Sequence, residues 1–299
     1  MDLLAELARY GPGAPQTAAS AAEARAYCRR LAENHYENFS VVSHLFPRHL
    51  HQPLCNVYAY CRWADDLADE TANPQQSLAL LDWWQQQLER LYAGAEPTHP
   101  VFVALGETIR KFDLPRQPLT DLLVAFRRDQ TQTRYETLAD LLTYCEKSAN
   151  PVGRIVLALG RSANDENVRL SDAICTGLQL ANFCQDVKRD CEGGRIYLPQ
   201  ELCRRHGWHV SRFTAGRCDN DFRELLRSFV FEAETRLMEG EGLARRVGPD
   251  LKMAVRVFSA GGFAILAAIR RCRYDVWSRR PTVGRLTKLR LIASAWWTG

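Results

Sequence analysis

Much of what this 299-residue sequence could have been is excluded by what it lacks. Its ten cysteines, from Cys28 to Cys272, include no Cys-x-x-Cys pair, which removes a zinc ribbon or a disulfide framework. They read as reduced core residues of a cytoplasmic protein. No Gly-x-Gly-x-x-Gly turn follows a strand and no phosphate-binding loop is present, so a Rossmann nicotinamide site has no support. Ser-His-Asp and Cys-His arrangements are missing, and the histidines show no metal-ligand step. No apolar run reaches the roughly 18 residues of a membrane span. The start, Met1-Asp-Leu-Leu-Ala-Glu6, lacks the basic-then-apolar order of a signal peptide. A net charge of +4 without a basic, aromatic-interleaved run gives no reason to expect nucleic acid. Alternating strand patterns, hairpin turns, repeats and long polar linkers are also missing.

Helical periodicity is what remains, and it predicts an all-α, single-domain protein. Residues 1–18, with Gly11-Pro-Gly-Ala-Pro15, read as a loose arm, residues 19–283 as the body and 284–299 as a basic amphipathic tail. Ser20-x-x-Glu23 is a capping box opening a helix to about Asn34. Pro53 is placed at the start of the first acidic helix, and Asn73-Pro74 at the start of the next. Further helices are expected over Val101–Phe112, Leu119–Asp129, Leu138–Ala149 and Val152–Leu159. The second acidic helix is expected from about Asp165 to Cys191, followed by long helices over Asp219–Arg246 and Asp250–Trp277.

Two acidic stretches organise the chain: Tyr58-Ala-Tyr-Cys-Arg62-Trp-Ala-Asp65-Asp66-Leu-Ala-Asp69-Glu70 and Asn182-Phe-Cys-Gln185-Asp186-Val-Lys188-Arg189-Asp190. Each carries two aspartates four apart, which a helix places on one face about one turn apart. The phase is unusual, because Asp65 continues the stripe Leu54, Tyr58, Cys61 and Ala68, and Asp186 and Asp190 continue Cys175, Leu178 and Asn182. Carboxylates on a core-facing stripe are costly unless paired or bound to metal. Asp66 and Glu70, about 100° further round, are expected on the solvated face. Two such pairs suit hard cations of the Mg²⁺ kind, which take few carboxylates, several waters and phosphate oxygens.

Metals held by aspartates are suited to ionising a diphosphate, with basic side chains completing the charge balance. Arg62 shares the arc of Asp65, while Lys188, Arg189 and Arg195 flank the second motif. The carbocation left behind needs a water-poor site with π-faces, for which Phe39, Tyr58, Tyr144, Tyr197 and Tyr274 are candidates. The stripe Ala254, Val257, Phe258, Gly261, Ile265, Ala268 fits either a long apolar ligand or close helix packing.

With these residues in place, the chain resembles the squalene/phytoene synthase family of all-helical prenyl transferases. The resemblance is carried by Cys61-Arg62-x-x-Asp65-Asp66-x-x-Asp69-Glu70, Tyr144-Cys145, Asn182-x-x-Gln185-Asp186-x-x-x-Asp190 and Gly194-Arg195-Ile-Tyr197-Leu-Pro199. It implies an isoprenoid synthase bundle whose cavity lies between two Asp-rich helices. It also implies Mg²⁺ (or Mn²⁺) on Asp65, Asp69, Asn182, Asp186 and Asp190, and a diphosphate site involving Arg62. His35-Tyr-Glu37-Asn-Phe39, Ser148-Ala-Asn-Pro-Val-Gly153-Arg154 and Tyr274-Asp-Val276 are similar to the bacterial hydroxysqualene-forming branch of hopanoid pathways. That branch is implied to ionise presqualene diphosphate and capture the cation with water, without a reductant.

Tyr36-Glu37-Asn38 replaces a serine/lysine segment of condensing relatives, and a glutamate there disfavours a second diphosphate. A condensing synthase joining two prenyl diphosphates is the alternative, and a scaffold that has lost catalysis is a third reading, opposed by the five intact ligands. A lipid substrate implies contact with the inner face of a membrane and with neighbouring squalene-pathway enzymes. The tail, with Arg285, Lys288 and Arg290 among Leu286, Leu289, Leu291, Ile292, Trp296 and Trp297, fits either such an interface or docking back onto the domain. Glu37 is assigned the placement of the attacking water, as base or hydrogen-bond acceptor. Glu37→Gln should therefore lose water capture while still releasing pyrophosphate; lipid products with unchanged oxygen incorporation from labelled water would remove the assignment.

Overall fold

The computed structural model describes residues 2–15, 18–35, 45–71, 73–213 and 216–284. Glu37, Phe39 and the tail beyond residue 284 lie outside them. Among the described residues the chain is helical almost throughout, and the one extended pairing is a parallel bridge between Arg134 and Ile196. The all-α expectation is met. Contacts divide the chain into two compact units: residues 1–131 with 155–162, and residues 132–154 with 163–299.

The first unit contains α1 (Leu3–Tyr10), α2 (Ala21–His35), α3 (Arg48–Asp69), α4 (Pro74–Tyr92), α5 (Pro100–Phe112) and α6 (Arg116–Asp129). Ser20 and Glu23 exchange both hydrogen bonds of the expected capping box. Asn73 caps α4 through the Gln76 amide, with Pro74 in the first turn. The arm departs from expectation, because Asp2 caps α1, Leu3 is buried and the Tyr27 hydroxyl donates to Glu6 at 2.7 Å. The start of α3 departs too. It begins at Arg48 and carries Pro53 inside its second turn, which removes the one backbone donor that would bond to the His49 carbonyl.

Aromatic packing fixes the rotation of α3. Trp63 stacks on Trp84 with ring centroids 5.2 Å apart, and His99 sets its edge against both at 4.7 and 5.0 Å. Two polar tips of the same face find partners: Trp63 Nε1 donates to the Tyr27 hydroxyl at 3.0 Å, and the Tyr60 hydroxyl to the Leu119 carbonyl at 3.0 Å. Asn56 donates to the Ala104 carbonyl at 2.9 Å. Burial pushes His99 down to about 3, so its imidazole stays neutral while Nδ1 accepts from the Val101 amide at 3.2 Å.

The second unit contains α7 (Leu138–Ser148), the first residues of α8 (Asn150–Leu159), α9 (Asp165–Gln185), α10 (Val187–Glu192), α11 (Gln200–Arg205), α12 (Asn220–Glu239) and α13 (Pro249–Arg271). Three helices stop earlier than their periodicity predicts. The backbone breaks at Asp186, with φ −104° and ψ 13°, so the second acidic motif straddles α9 and α10. Gly240 ends α12 before a 3-10 turn over Glu241–Arg245. Arg273 and Tyr274 take φ of 53° and 62°, which ends α13 well before Trp277.

Glycines let the helices of this unit approach closely. A Cβ on Gly177 of α9 would stand 2.8 Å from the Leu237 amide nitrogen of α12. The small-residue stripe on α13 is resolved by two neighbouring glycines. A Cβ on Gly262 would stand 2.8 Å from Leu178 Cδ2 and 2.9 Å from Leu237 Cδ1, whereas one on Gly261 meets nothing within 4 Å. Packing therefore runs through Gly262, and the Val257, Phe258, Gly261, Ile265 face stays partly accessible. Among the described residues α13 is also the one helix long and apolar enough to cross a membrane, with mean hydropathy 1.5, a test that core helices pass as well.

Gly262→Ala should destabilise the protein by about 1–3 kcal/mol, because two leucine side chains must move. Gly261→Ala should be neutral or stabilising by up to about 1 kcal/mol through helix propensity alone. Urea midpoints of the two variants check the assignment, and equal effects would refute it.

Candidate active site

In the first unit the aromatic lock on α3 decides where each acid points, and it reverses the expected order. Asp66, placed on the solvated face by the sequence reading, is 1% exposed, whereas the Asp65 side chain is 44% exposed and Asp69 lies at the surface. The buried face follows Tyr60, Trp63 and Leu67, which carries Asp66 inward one turn after Arg62. Tyr58 and Cys61 share the partly accessible arc of Asp65.

Arg62 spans the cluster, pairing with Asp66 and reaching Asp65 at 3.3 Å and Glu70 at 3.4 Å. Burial nevertheless holds the Asp66 carboxyl up at about 7, against the opposing pull of Arg62. Arg62 is thus anchored by its own helix beside Asp65 and Glu70, its side chain only 24% exposed.

In the second unit the break at Asp186 leaves the four-residue register intact. The Asp186 amide bonds to the Asn182 carbonyl at 2.9 Å, and the Asp190 amide to the Asp186 carbonyl at 2.8 Å. The Arg195 amide then returns to the Asp190 carbonyl at 2.8 Å, which fixes the Gly194–Pro199 segment against α10. Gly194, at φ 80°, makes that reversal possible.

Asp190 is held up at about 7, chiefly by burial and then by the charge of Asp186, against the arginines 189, 195 and 280. Asn182, Lys188 and Arg189 are exposed, whereas Gln185 and Asp186 are buried. Arg280 was not singled out in the sequence. It donates to both Asp186 oxygens, to Oδ2 at 3.0 Å, and to Gln185 Oε1 at 3.2 Å.

Two of the aromatic candidates meet in this unit. Tyr197 stacks on Phe183 with centroids 3.9 Å apart, and Tyr144 lies 5.9 Å from Tyr197 and 6.4 Å from Phe183. Tyr135 adds a fourth ring 5.8 Å from Tyr197. The Ile196 amide bonds to the Thr133 carbonyl at 2.9 Å, which brings the two segments into register. Phe183 and Tyr135 were missed, although Phe183 directly follows Asn182. Tyr274 is placed differently: its ring lies under the Arg227 guanidinium at 5.4 Å, in the turn beyond α13.

Among the described residues no three His, Cys, Asp or Glu side chains stand close enough to enclose a metal by themselves. The donor set still fits a hard divalent cation that keeps waters and phosphate oxygens, since it consists of carboxylate and amide oxygens. A buried Asp186 beside a half-buried Asp190 is a carboxylate pair whose full charge needs a cation.

The squalene/phytoene synthase family model matches residues 32–287. The chain belongs to that family. Its members are synthases that process prenyl diphosphates and use a divalent metal, which makes the chain an enzyme of that kind. It is 34% identical over 240 residues to the hydroxysqualene synthase of Sinorhizobium fredii, covering 79% of this chain and 80% of the relative. It is 31% identical over 288 residues to the phytoene synthase of Arthrospira platensis, covering 92% and 93%. Among solved structures it is similar to squalene synthase HpnC from Alicyclobacillus acidocaldarius, at 44% identity and TM-score 0.82 over 85% of this chain and 96% of that one. A dehydrosqualene synthase gives TM-score 0.84 at 25% identity over 93% and 97%.

The raised Asp190 carboxyl yields a pH test. A carboxyl whose folded value, about 7, lies above the ordinary 3.8 contributes stability that is complete below that ordinary value and lost as pH rises through about 7. In EDTA, Asp190→Asn should match the wild type near pH 4 in melting temperature and exceed it near pH 8, with the gap opening between. A gap that does not change with pH would contradict the burial argument.

Proposed function

We propose that this enzyme ionises presqualene diphosphate with Mg²⁺, or Mn²⁺ in its place, and lets water capture the rearranged cation to give hydroxysqualene and diphosphate. The observation that carries the reading is the 44% identity to squalene synthase HpnC, supported by the hydroxysqualene synthase relative at 34%. Asp65, Asp69, Asn182, Asp186 and Asp190 are the proposed metal ligands. When bound, the metal neutralises the charge that builds on the departing diphosphate. Arg62, Gln185, Lys188, Arg189 and Arg195 orient the phosphate oxygens, with Arg62 and Arg195 fixed in place by α3 and by the Asp190 carbonyl.

Tyr58, Tyr144, Tyr197, Tyr274 and Phe39 offer ring faces or hydroxyls to the cation. Among them the Tyr144–Tyr197 pair, stacked with Phe183, is already a rigid wall. Glu37 directs the water. A second reading, condensation of two prenyl diphosphates, is favoured by the phytoene synthase relative that spans 92% of the chain.

Purified protein with Mg²⁺ and no NADPH, given presqualene diphosphate or farnesyl diphosphate separately, should convert only the former. Mass analysis should find oxygen from labelled water in a C30 alcohol. Consumption of farnesyl diphosphate would replace this reading with the condensing one.

A further inference from the structure

Asp186 is 6% exposed at the break between α9 and α10, and a carboxylate so enclosed needs a countercharge. Arg280 supplies it with a two-pronged grip, Nε on Oδ1 and Nη2 on Oδ2. The grip is braced from both sides. Arg280 Nη2 also donates to Gln185 Oε1, and Gln185 Nε2 donates to the Pro281 carbonyl. The last residue of α9 thus clips the 280–281 segment in place, with the guanidinium over both oxygens of its neighbour.

Those oxygens are the ones Asp186 would offer to a metal. We infer that Arg280 is an internal countercation that holds Asp186 in the metal-free enzyme and must be displaced before a divalent metal can bind there. The inference rests on the metal role proposed for Asp186. It has a consequence for how ligands enter. A metal arriving alone must break a two-pronged grip and leave the half-exposed guanidinium to water, so it binds weakly. Phosphate oxygens arriving with the metal offer the displaced guanidinium another anionic partner of matching geometry. Metal and diphosphate should therefore bind cooperatively, each helping the other, with Arg280 as the positioning residue that couples them.

The test titrates the full chain with Mg²⁺, with and without inorganic pyrophosphate, by calorimetry and thermal shift. Arg280→Gln should bind Mg²⁺ alone on the order of tenfold more tightly than wild type, and the tightening that pyrophosphate brings should shrink. Arg279→Gln removes the same charge from an exposed neighbour and should shift Mg²⁺ affinity by less than about twofold. Arg280→Lys, which keeps the charge but not the planar fork, should move in the direction of Arg280→Gln by a smaller factor and serves if the glutamine variant does not fold. The inference is overturned if neither Arg280 variant binds Mg²⁺ alone more tightly, or if Arg279→Gln shifts as far as Arg280→Gln. A wild type that ignores Mg²⁺ even with pyrophosphate present overturns the metal role itself, and this inference with it.

Discussion

Asp66 and Asp186 sit almost out of water, and each has drawn an arginine onto itself. The two solutions differ in reach. Arg62 comes from one turn earlier on the same helix, so its pair with Asp66 forms wherever α3 forms. Arg280 comes from 94 residues away, so its pair with Asp186 ties the segment after α13 to the end of α9. Removing either partner of such a pair would strand a charge in a medium that solvates it poorly, which costs more than the pair itself contributes. That asymmetry constrains everything around the two motifs, including which aspartate of each can be spared for another cation.

On α3 the constraint sorts three acids by depth. Trp63, Tyr60 and Leu67 set the rotation through the Trp84 stack and their hydrogen bonds, and Asp66 goes in with them. Asp65 and Asp69 are left toward water, and Asp65 lies beside a positive head group that Asp66 already holds. A charge held this way loses little entropy when it meets an anion, which is what preorganisation means for a diphosphate site.

The sequence made helix existence readable where a cap carried it: Ser20 with Glu23 and Asn73 with Pro74 both close as capping chemistry predicts. The pattern of aspartates and its family resemblance were equally plain, because four-residue spacing survives even the break at Asp186. What could not be read was phase. Periodicity placed Asp65 inward and Asp66 outward, and the structure chose the reverse, since the fully buried rings of Tyr60, Trp63 and Trp84 outweigh a moderate stripe of Leu54, Tyr58 and Cys61. Nor could Arg280 be read, because nothing local marks an arginine whose partner lies so far away in the chain. Gly261 and Gly262 make the same point: two adjacent glycines look alike in sequence, and only the positions of Leu178 and Leu237 distinguish them.

The second motif also has internal partners for its acids. Small domains built around structural zinc unfold when it leaves, because the ligands then have no other partners. Here Asp186 has Arg280, and Asp190, held near neutrality in its titration, can keep a proton instead of a full charge. On the metal role proposed for Asp186, a cation binding there displaces one guanidinium, so its binding is coupled to any anion able to receive Arg280. In that reading the exchange of internal charges is left to the moment when metal and an anion arrive together.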